Sequence, residues 1–179
     1  TYIAPSILYT KSLLHFNTDW TDETGKIWTS HGSAVIDTSI KKFGLGSASL
    51  PGSPSWVSTP SSVDHQFGTG DFTVDFWVKT TATTGFILSN LSSGNIYNTG
   101  TIFIEMNAGH IHWYPFYSSG GPSITSTSTV NDNSWHHIEV TRYGTSFYMF
   151  VDGIKTGTDI TSYNPTINGS GNPLLLGRD

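Results

Sequence analysis

The stretch that decides the fold is residues 133–152, NSWHHIEVTRYGTSFYMFVD, which Gly153 follows. From Trp135 onward two sets of side chains alternate, until Gly144 interrupts the pattern before an aromatic run. Alternation of period two, bounded by Gly, Asn and Asp, is typical of paired strands. The Asp152-Gly153 dipeptide favours a tight turn because Gly adopts positive φ at little cost. This stretch therefore predicts a β-hairpin with a further turn at its end.

The composition favours a single all-β domain. The chain has 179 residues, of which 12% are charged and 13% aromatic, with 19 Gly and 8 Pro. This length fits one domain, and the scarcity of good helix formers argues against helical and α/β folds. The net charge of −5, with 8 basic residues, argues against nucleic acid as a partner, because Lys and Arg must meet the phosphates.

Cysteine is absent, which excludes disulfides, thiolate metal sites and a catalytic thiol. No apolar run is long enough to cross a bilayer or to serve as a signal peptide. The chain begins at Thr1, so we expect it to be a processed or excised piece of a longer protein.

Short strand-like runs recur along the chain at intervals of about ten residues, which is the pattern of a double-sheet sandwich. We predict an extended lead-in or linker over residues 1–11 and one domain over 12–179. The fold class is an all-β, two-sheet antiparallel β-sandwich (jelly roll) with almost no helix. Besides the hairpin, the expected strands are 12–16, 34–37, 47–50, 56–59, 72–79, 86–89, 101–106, 110–116, 123–129 and 173–177.

Four blocks in order resemble laminin G-like jelly rolls, which belong to the concanavalin A-like lectin and glucanase group. They are KFGLGSASL from Lys42 to Leu50, GDFTVDFWVK from Gly70 to Lys79, the Trp-His-His hairpin, and LLLGR from Leu174 to Arg178. The variant resembles modules of phage virion and bacterial surface proteins. The resemblance also implies a last strand after Arg178, so we expect another segment or subunit to cover the sheet edge that its absence exposes.

The carboxylates do not favour an enzyme. Glycosidic cleavage needs two facing carboxylates, and glucanases of this fold carry them two positions apart on one strand. The three glutamates, Glu23, Glu105 and Glu139, have no acidic partner at that spacing. We therefore expect no catalysis.

Metal binding is weighed at two places. Histidines 110, 112, 136 and 137 come from two strand regions and are interpreted as structural, since a metal needs three or four converging ligands. The resemblance implies calcium in many relatives, and Asp19, Asp22 and Glu23 offer suitable oxygen ligands. The alternative for this loop is an acidic, solvated segment.

Carbohydrate binding is the favoured function, since sugar rings stack on exposed aromatic side chains. If Ile111 and Trp113 face the core, their neighbours on the same strand line the opposite face. Trp77 and Trp135 are expected in the core. The candidate glycan-binding residues are His110, His112, Tyr114 and Phe116, with Tyr97 and Trp56 overhanging them.

The resemblance thus implies a non-catalytic carbohydrate-binding or adhesion module on a virion or cell surface, outside the cell, with host recognition as its role. Its partners would be a glycan or cell-surface polysaccharide and other subunits of the assembly, without membrane insertion. The alternative is a structural module that decorates a larger particle and binds no glycan. A glycoside hydrolase is the third hypothesis.

Overall fold

A computed structural model of the chain describes residues 9–90, 101–117 and 121–178, except for the side chains of residues 116, 117 and 170. Within these ranges the only helices are two short 3₁₀ turns, Val63–His65 and Gly169–Gly171. The strands in the same ranges are β1 (Thr29–His31), β2 (Val35–Asp37), β3 (Ser47–Ser49), β4 (Trp56–Thr59), β5 (Phe72–Val78), β6 (Gly85–Ser89), β7 (Thr101–Asn107), β8 (His110–Tyr117), β9 (Ile124–Thr129), β10 (His136–Tyr143), β11 (Ser146–Val151), β12 (Ile154–Ile160) and β13 (Leu174–Leu176).

The strands form two main antiparallel sheets and a small one. The seven-stranded sheet has the order β1-β4-β13-β6-β7-β8-β9, and the four-stranded sheet has the order β12-β11-β10-β5. Strands β2 and β3 pair with each other. The prediction of an all-β, two-sheet antiparallel sandwich with almost no helix is confirmed.

The hairpin is present as predicted. Strands β10 and β11 pair from Ile138 opposite Val151 to Tyr143 opposite Ser146. At its far end Asp152 and Gly153 have φ of 52° and 76°. Two successive positive φ values are those of the turns that match the twist of a hairpin.

The side chain of Asp152 joins this turn to the start of β10. One carboxylate oxygen accepts the backbone N–H of His137 at 2.8 Å, and the other lies 2.8 Å from Nδ1 of His136. The Nε2 atom of His136 lies 3.0 Å from a carboxylate oxygen of Asp132. Burial alone would lower the pKa of His136, but these two carboxylates outweigh it and raise that pKa.

The main core lies between the two sheets and the second core lies at one end of the larger sheet. The second core is formed by Trp28, Ala34 and Val57. The main core follows from the period-two alternation, which turns the apolar set of each strand to one face, whereas Trp28 and Ala34 lie just before β1 and β2. The main core comprises Ile102, Ile104, Met106, Ile111, Trp113, Ile124, Val130, Ile138, Val140, Phe147, Met149, Val151, Ile160 and Ile167.

A buried arginine ties three loops to the end of the sandwich. Arg142 lies on the inner face of β10 and is almost fully buried. Buried charge requires hydrogen bonds, and the guanidinium has five N–H donors to supply them. Its acceptors are the backbone oxygens of Gly144, Gly68 and Pro165 and the side-chain oxygen of Asn164.

Two parts of the strand prediction differ from the structure. Residues 12–16 form an isolated bridge between Leu14 and Asp22 instead of a strand. Strands β1 and β12 were not predicted, because both are polar and lack clear alternation. Within β12, Gly157 has φ of 73°, and a Cβ there would lie 2.5 Å from the backbone oxygen of Thr125. Glycine therefore permits a close crossing of β12 over β9.

The placement of Trp77 and Trp135 in the core was wrong. The inward positions of β5 are taken by other apolar residues, Phe72, Val74, Phe76 and Val78. Alternation then turns Trp77 outward, where it is 37% exposed. Trp135 precedes β10 and is half-buried.

We predict that the contribution of His136 to stability depends on pH. Because its folded-state pKa is raised, that contribution is fully present below the unfolded value of about 6.5 and disappears as the pH rises through the folded value. The free energy of unfolding from urea denaturation should therefore differ more between wild type and His136→Gln at pH 5.5 than at pH 9. An equal difference at both values would contradict the role of the two carboxylates.

Candidate functional site

The candidate site begins on β8, whose alternation the core fixes. Ile111 and Trp113 are fully buried. Their neighbours His110, His112 and Tyr114 lie on the opposite face of the sheet and are half-buried. The conditional prediction that these three side chains share the outer face is confirmed.

Strand β7 adds two groups beside them. Glu105 is the register partner of His112, and Phe103 is the partner of Tyr114. The Phe103 and Tyr114 rings stack with centroids 5.6 Å apart. From β6, the Phe86 ring meets Phe103 edge-on at 4.7 Å. These aromatic contacts therefore run across three neighbouring strands, and the Phe103 ring between Phe86 and Tyr114 is itself buried.

His112 is the centre of the polar contacts. Its Nδ1 lies 3.4 Å from a carboxylate oxygen of Glu105 and 3.4 Å from the hydroxyl of Tyr114. Its Nε2 lies 3.1 Å from the hydroxyl of Ser123. Burial lowers the pKa of His112, and Glu105 offsets this only in part. His112 is therefore a neutral hydrogen-bonding group at neutral pH.

A groove and a row of hydroxyls extend the polar surface on either side. The open groove of about 390 Å³ is lined by Thr84, Gly85, Phe86, Glu105, Met106 and Asn107. On the other side, Thr125 of β9 lies opposite His112, and Thr129 lies opposite His110. We define the outer-face site as His110, His112 and Tyr114 of β8 with Phe103 and Glu105 of β7.

The structure does not bring Trp56 into this site. Successive register pairs place Trp56 on the same face of the sheet, but β13, β6 and β7 lie between β4 and β8. Four inter-strand spacings amount to about 19 Å. The Trp56 ring is stacked on His31 at 4.5 Å, with the guanidinium of Arg178 at 4.8 Å. Tyr97 and the side chain of Phe116 lie outside the described residues.

The sequence interpretation missed Glu105 and Phe103 as members of the site. Their partners are set by the two-residue turn at Ala108 and Gly109, where Asn107 lies opposite His110. Asn-x-Gly between two apolar runs indicates such a turn, and counting back from it places Glu105 opposite His112.

The three proposed calcium ligands do not converge. Asp22 is buried, and its carboxylate accepts five hydrogen bonds, two of them from Thr24 and one from Nε1 of Trp28. Asp19 accepts the backbone N–H of Thr21, and Glu23 is exposed. In the parts of the chain that the structure describes, no three His, Cys, Asp or Glu side chains are grouped for a metal ion. Calcium at this loop stays a prediction, which calorimetric titration with Ca²⁺ tests.

One pair of carboxylates lies side by side on the outer face of the four-stranded sheet. Asp75 and Glu139 are direct register partners, which brings such side chains to about 5 Å. The Asp75 side chain is 63% exposed, and its partner is Nε2 of His137 at 3.2 Å. The separation of about 5 Å joins the Cβ atoms of Asp75 and Glu139, whereas a retaining glycosidase holds its two carboxyl groups about 5 Å apart around a bound sugar. This pair lies on an exposed sheet face.

A second aromatic surface lies on that same face. Trp77 contacts the ring of His137 at 5.1 Å and the edge of Phe43 at 5.5 Å. The ammonium group of Lys42 lies 4.3 Å from the Trp77 ring centre, which is a cation–π contact. Phe43 comes from the loop between β2 and β3, which is held in place by Asn17. The exposed face of Trp77 is thus partly covered by the protein itself.

No helix among residues 9–90, 101–117 and 121–178 is both long and apolar enough to span a membrane.

Both the topology and the family comparison define the class of protein. A family model described as the Concanavalin A-like lectin/glucanases superfamily, of laminin G type, matches residues 51–179. This covers more than half of the chain. The chain belongs to this superfamily, and the resemblance inferred from the four sequence blocks is confirmed.

Known proteins resemble parts of the chain or its fold. Neurexin-2 of Mus musculus is 43% identical over 70 residues, which are 37% of this chain and 4% of neurexin-2. The binding domain of Paraclostridial Mosquitocidal Protein 1 has a TM-score of 0.70 and 16% identity, covering 93% of this chain and 43% of its own. Domain 4 of a GH43 extracellular arabinanase from Geobacillus stearothermophilus, solved with arabinotriose, has a TM-score of 0.65 and 16% identity, covering 94% and 82%. At these identities the two structures show the fold alone.

We predict that Asp22 acts as a structural acceptor. Burial alone would raise its pKa, but the hydrogen bonds from Ser12, Thr24 and Trp28 lower it to about 2. The contribution is fully present above the unfolded value of about 3.9 and disappears as the pH falls toward 2. Asp22→Asn should therefore lose roughly 1–2 kcal/mol of unfolding free energy at pH 7, measured by urea denaturation. Asp19→Asn, at an exposed carboxylate, is the control and should change little.

Proposed function

We propose that this chain is a non-catalytic carbohydrate-binding module and that its ligand contacts the outer-face site. The observation that carries the proposal is the group of half-buried side chains Tyr114, His112 and Glu105 across β7 and β8, in which Tyr114 stacks on the buried ring of Phe103. It combines aromatic rings for the apolar face of a sugar with hydrogen-bonding groups for its hydroxyls, the usual composition of a small-molecule site.

The geometry supports a preorganised site. Tyr114 is held by its stacking on Phe103, and the imidazole of His112 is held from both ring nitrogens. Side chains that are fixed before binding lose little conformational entropy when the ligand arrives. Strands β7 and β8 below them are interior strands of the larger sheet, and each is paired on both sides.

Solved relatives support a binding role. One structural neighbour is the binding domain of Paraclostridial Mosquitocidal Protein 1. Another is the arabinanase domain, which was solved in complex with arabinotriose and is matched over 82% of its length. Two observations support the absence of catalysis. The sequence lacks the paired acidic pattern of glucanases, and the adjacent carboxylates Asp75 and Glu139 lie on an outer sheet face where the Asp75 side chain is 63% exposed.

We further propose that the module works outside the cell, on a cell surface or a virion, with host recognition as its role. The support is the resemblance of its glycine-rich and Gly-Asp-Phe-Thr blocks to modules of phage virion and bacterial surface proteins. The polysaccharide of a host envelope would then be the partner.

A second candidate function is assembly into a larger particle without a glycan ligand. The observation that favours it is the exposure of Val35, Ile40, Phe43 and Leu45 on the hairpin of β2 and β3. Neighbouring exposed apolar side chains of this kind occur at protein interfaces. A glycan array that stays silent while the domain remains folded would favour this function.

We predict that Tyr114→Ala weakens binding to the glycans that the wild-type protein binds on an array. Loss of one stacking aromatic from a sugar site removes apolar contact area as well as geometry, so affinity should fall at least about tenfold. Binding is measured on a glycan array and then by isothermal titration calorimetry.

The matched control is Tyr143→Ala. Tyr143 is 74% exposed at the tip of the hairpin of the other sheet. Its substitution by Ala removes the same kind of side chain from a surface that does not belong to the site. Equal binding by the Tyr114→Ala variant and wild type, with the same thermal midpoint, would place the ligand elsewhere.

A further inference from the structure

We infer that the outer-face site selects neutral glycans and that Glu105 is the residue that excludes acidic ones. This inference rests on the proposed function and narrows it to one chemical class, sugars without carboxylate, sulfate or phosphate groups. It is carried by the position of the Glu105 carboxylate among the aromatic groups and by the charges around it.

The charge of the site comes from Glu105. Its side chain is 17% exposed, and its ion-pair partner among the described residues is His112 at 3.4 Å. The titratable groups that share this surface are His110, His112 and Tyr114 on β8, and the facing strand β9 presents threonines. Glu105 is also the charged group that acts on the His112 ring. No lysine or arginine among the described residues forms an ion pair within this surface.

His112 contacts polar groups through both of its ring nitrogens. A carboxylate only accepts hydrogen bonds, and Nδ1 of His112 lies 3.4 Å from Glu105 and 3.4 Å from the Tyr114 hydroxyl, while Nε2 lies 3.1 Å from the Ser123 hydroxyl. Burial lowers the pKa of His112, so the imidazole does not neutralise the carboxylate at neutral pH. The surface therefore carries a net negative charge.

A carboxylate in this position suits sugar hydroxyls. After one contact with His112, Glu105 keeps acceptor positions free for O–H donors, and hydrogen bonds to an ionised acceptor are stronger than neutral ones. The adjoining groove leads away from Glu105 along Thr84 and Asn107, which offer further polar groups. Sugar hydroxyls can therefore donate hydrogen bonds to Glu105, whereas an anionic group on the ligand is repelled by its carboxylate.

The size of the discrimination follows from Coulomb's law. Two like charges about 5 Å apart weaken binding about fourfold at the dielectric of water and by more at the lower effective dielectric of a protein surface, so at least about fivefold is expected. The net charge of −5 on the whole chain acts in the same direction. Salt screens both effects, so the preference should shrink between 50 mM and 500 mM NaCl, concentrations that bracket a Debye length of about 10 Å.

The test uses pairs of oligosaccharides of identical linkage that differ at one residue, glucose against glucuronic acid or galactose against galacturonic acid. Affinities for both members are measured by isothermal titration calorimetry for wild type, Glu105→Gln and Glu139→Gln. The readout is the ratio of the two affinities. Glu139 lies on the other sheet, so Glu139→Gln removes the same charge from the chain but not from the site.

The expected result is at least a fivefold preference of wild type for the neutral member, a ratio at least threefold smaller for Glu105→Gln, and an unchanged ratio for Glu139→Gln. Equal shifts in both variants, or a wild-type preference for the acidic member, would overturn the inference while glycan binding itself stands. If wild type binds neither member of any pair and the array is silent, the proposed function fails, and this inference fails with it. Circular dichroism and thermal midpoints confirm that each variant is folded.

Discussion

The burial of Ile111 and Trp113 is the constraint on which the candidate site depends. A strand has a side-chain period of two, so a shift of one residue would send every side chain of β8 to the other face. That shift would expose an indole and an isoleucine and would bury His112 and Tyr114 without their partners. The buried residues of β8 thus determine which of its side chains lie on the outer face of the sheet.

The two outer faces of the sandwich differ in chemistry. On the larger sheet, an aromatic and polar surface surrounds one carboxylate and leads into a groove. On the smaller sheet, Trp77 is partly covered by Lys42 and Phe43. The neighbouring carboxylates of Asp75 and Glu139 lie on the same outer face beside His137. A ligand that needs aromatic stacking and an accessible groove is better served by the larger sheet.

Local patterns in the sequence predicted most of the strands and the direction of β8, because alternation and turn residues act over a few positions. They failed where partners come from far away. Trp77 lies outside because four smaller apolar residues on its strand take the inward positions, and Asp22 is saturated by donors from three segments. The pairing of Glu105 with His112 could have been read from the turn between them, whereas the crossing of β12 over β9 depends on a contact thirty residues away.

The division of the apolar residues into two clusters of unequal size has a dynamic consequence. Among the described residues, fourteen buried apolar side chains form the cluster around Trp113, whereas three form the cluster around Trp28 and Val57. Regions with few buried apolar contacts open at a lower free energy than the rest of a domain. The end of the larger sheet at β1 and β4 should therefore exchange its amide hydrogens through local opening, while β7 and β8 exchange only when the whole domain unfolds. The candidate site is thus insulated from motion at the far edge of its own sheet.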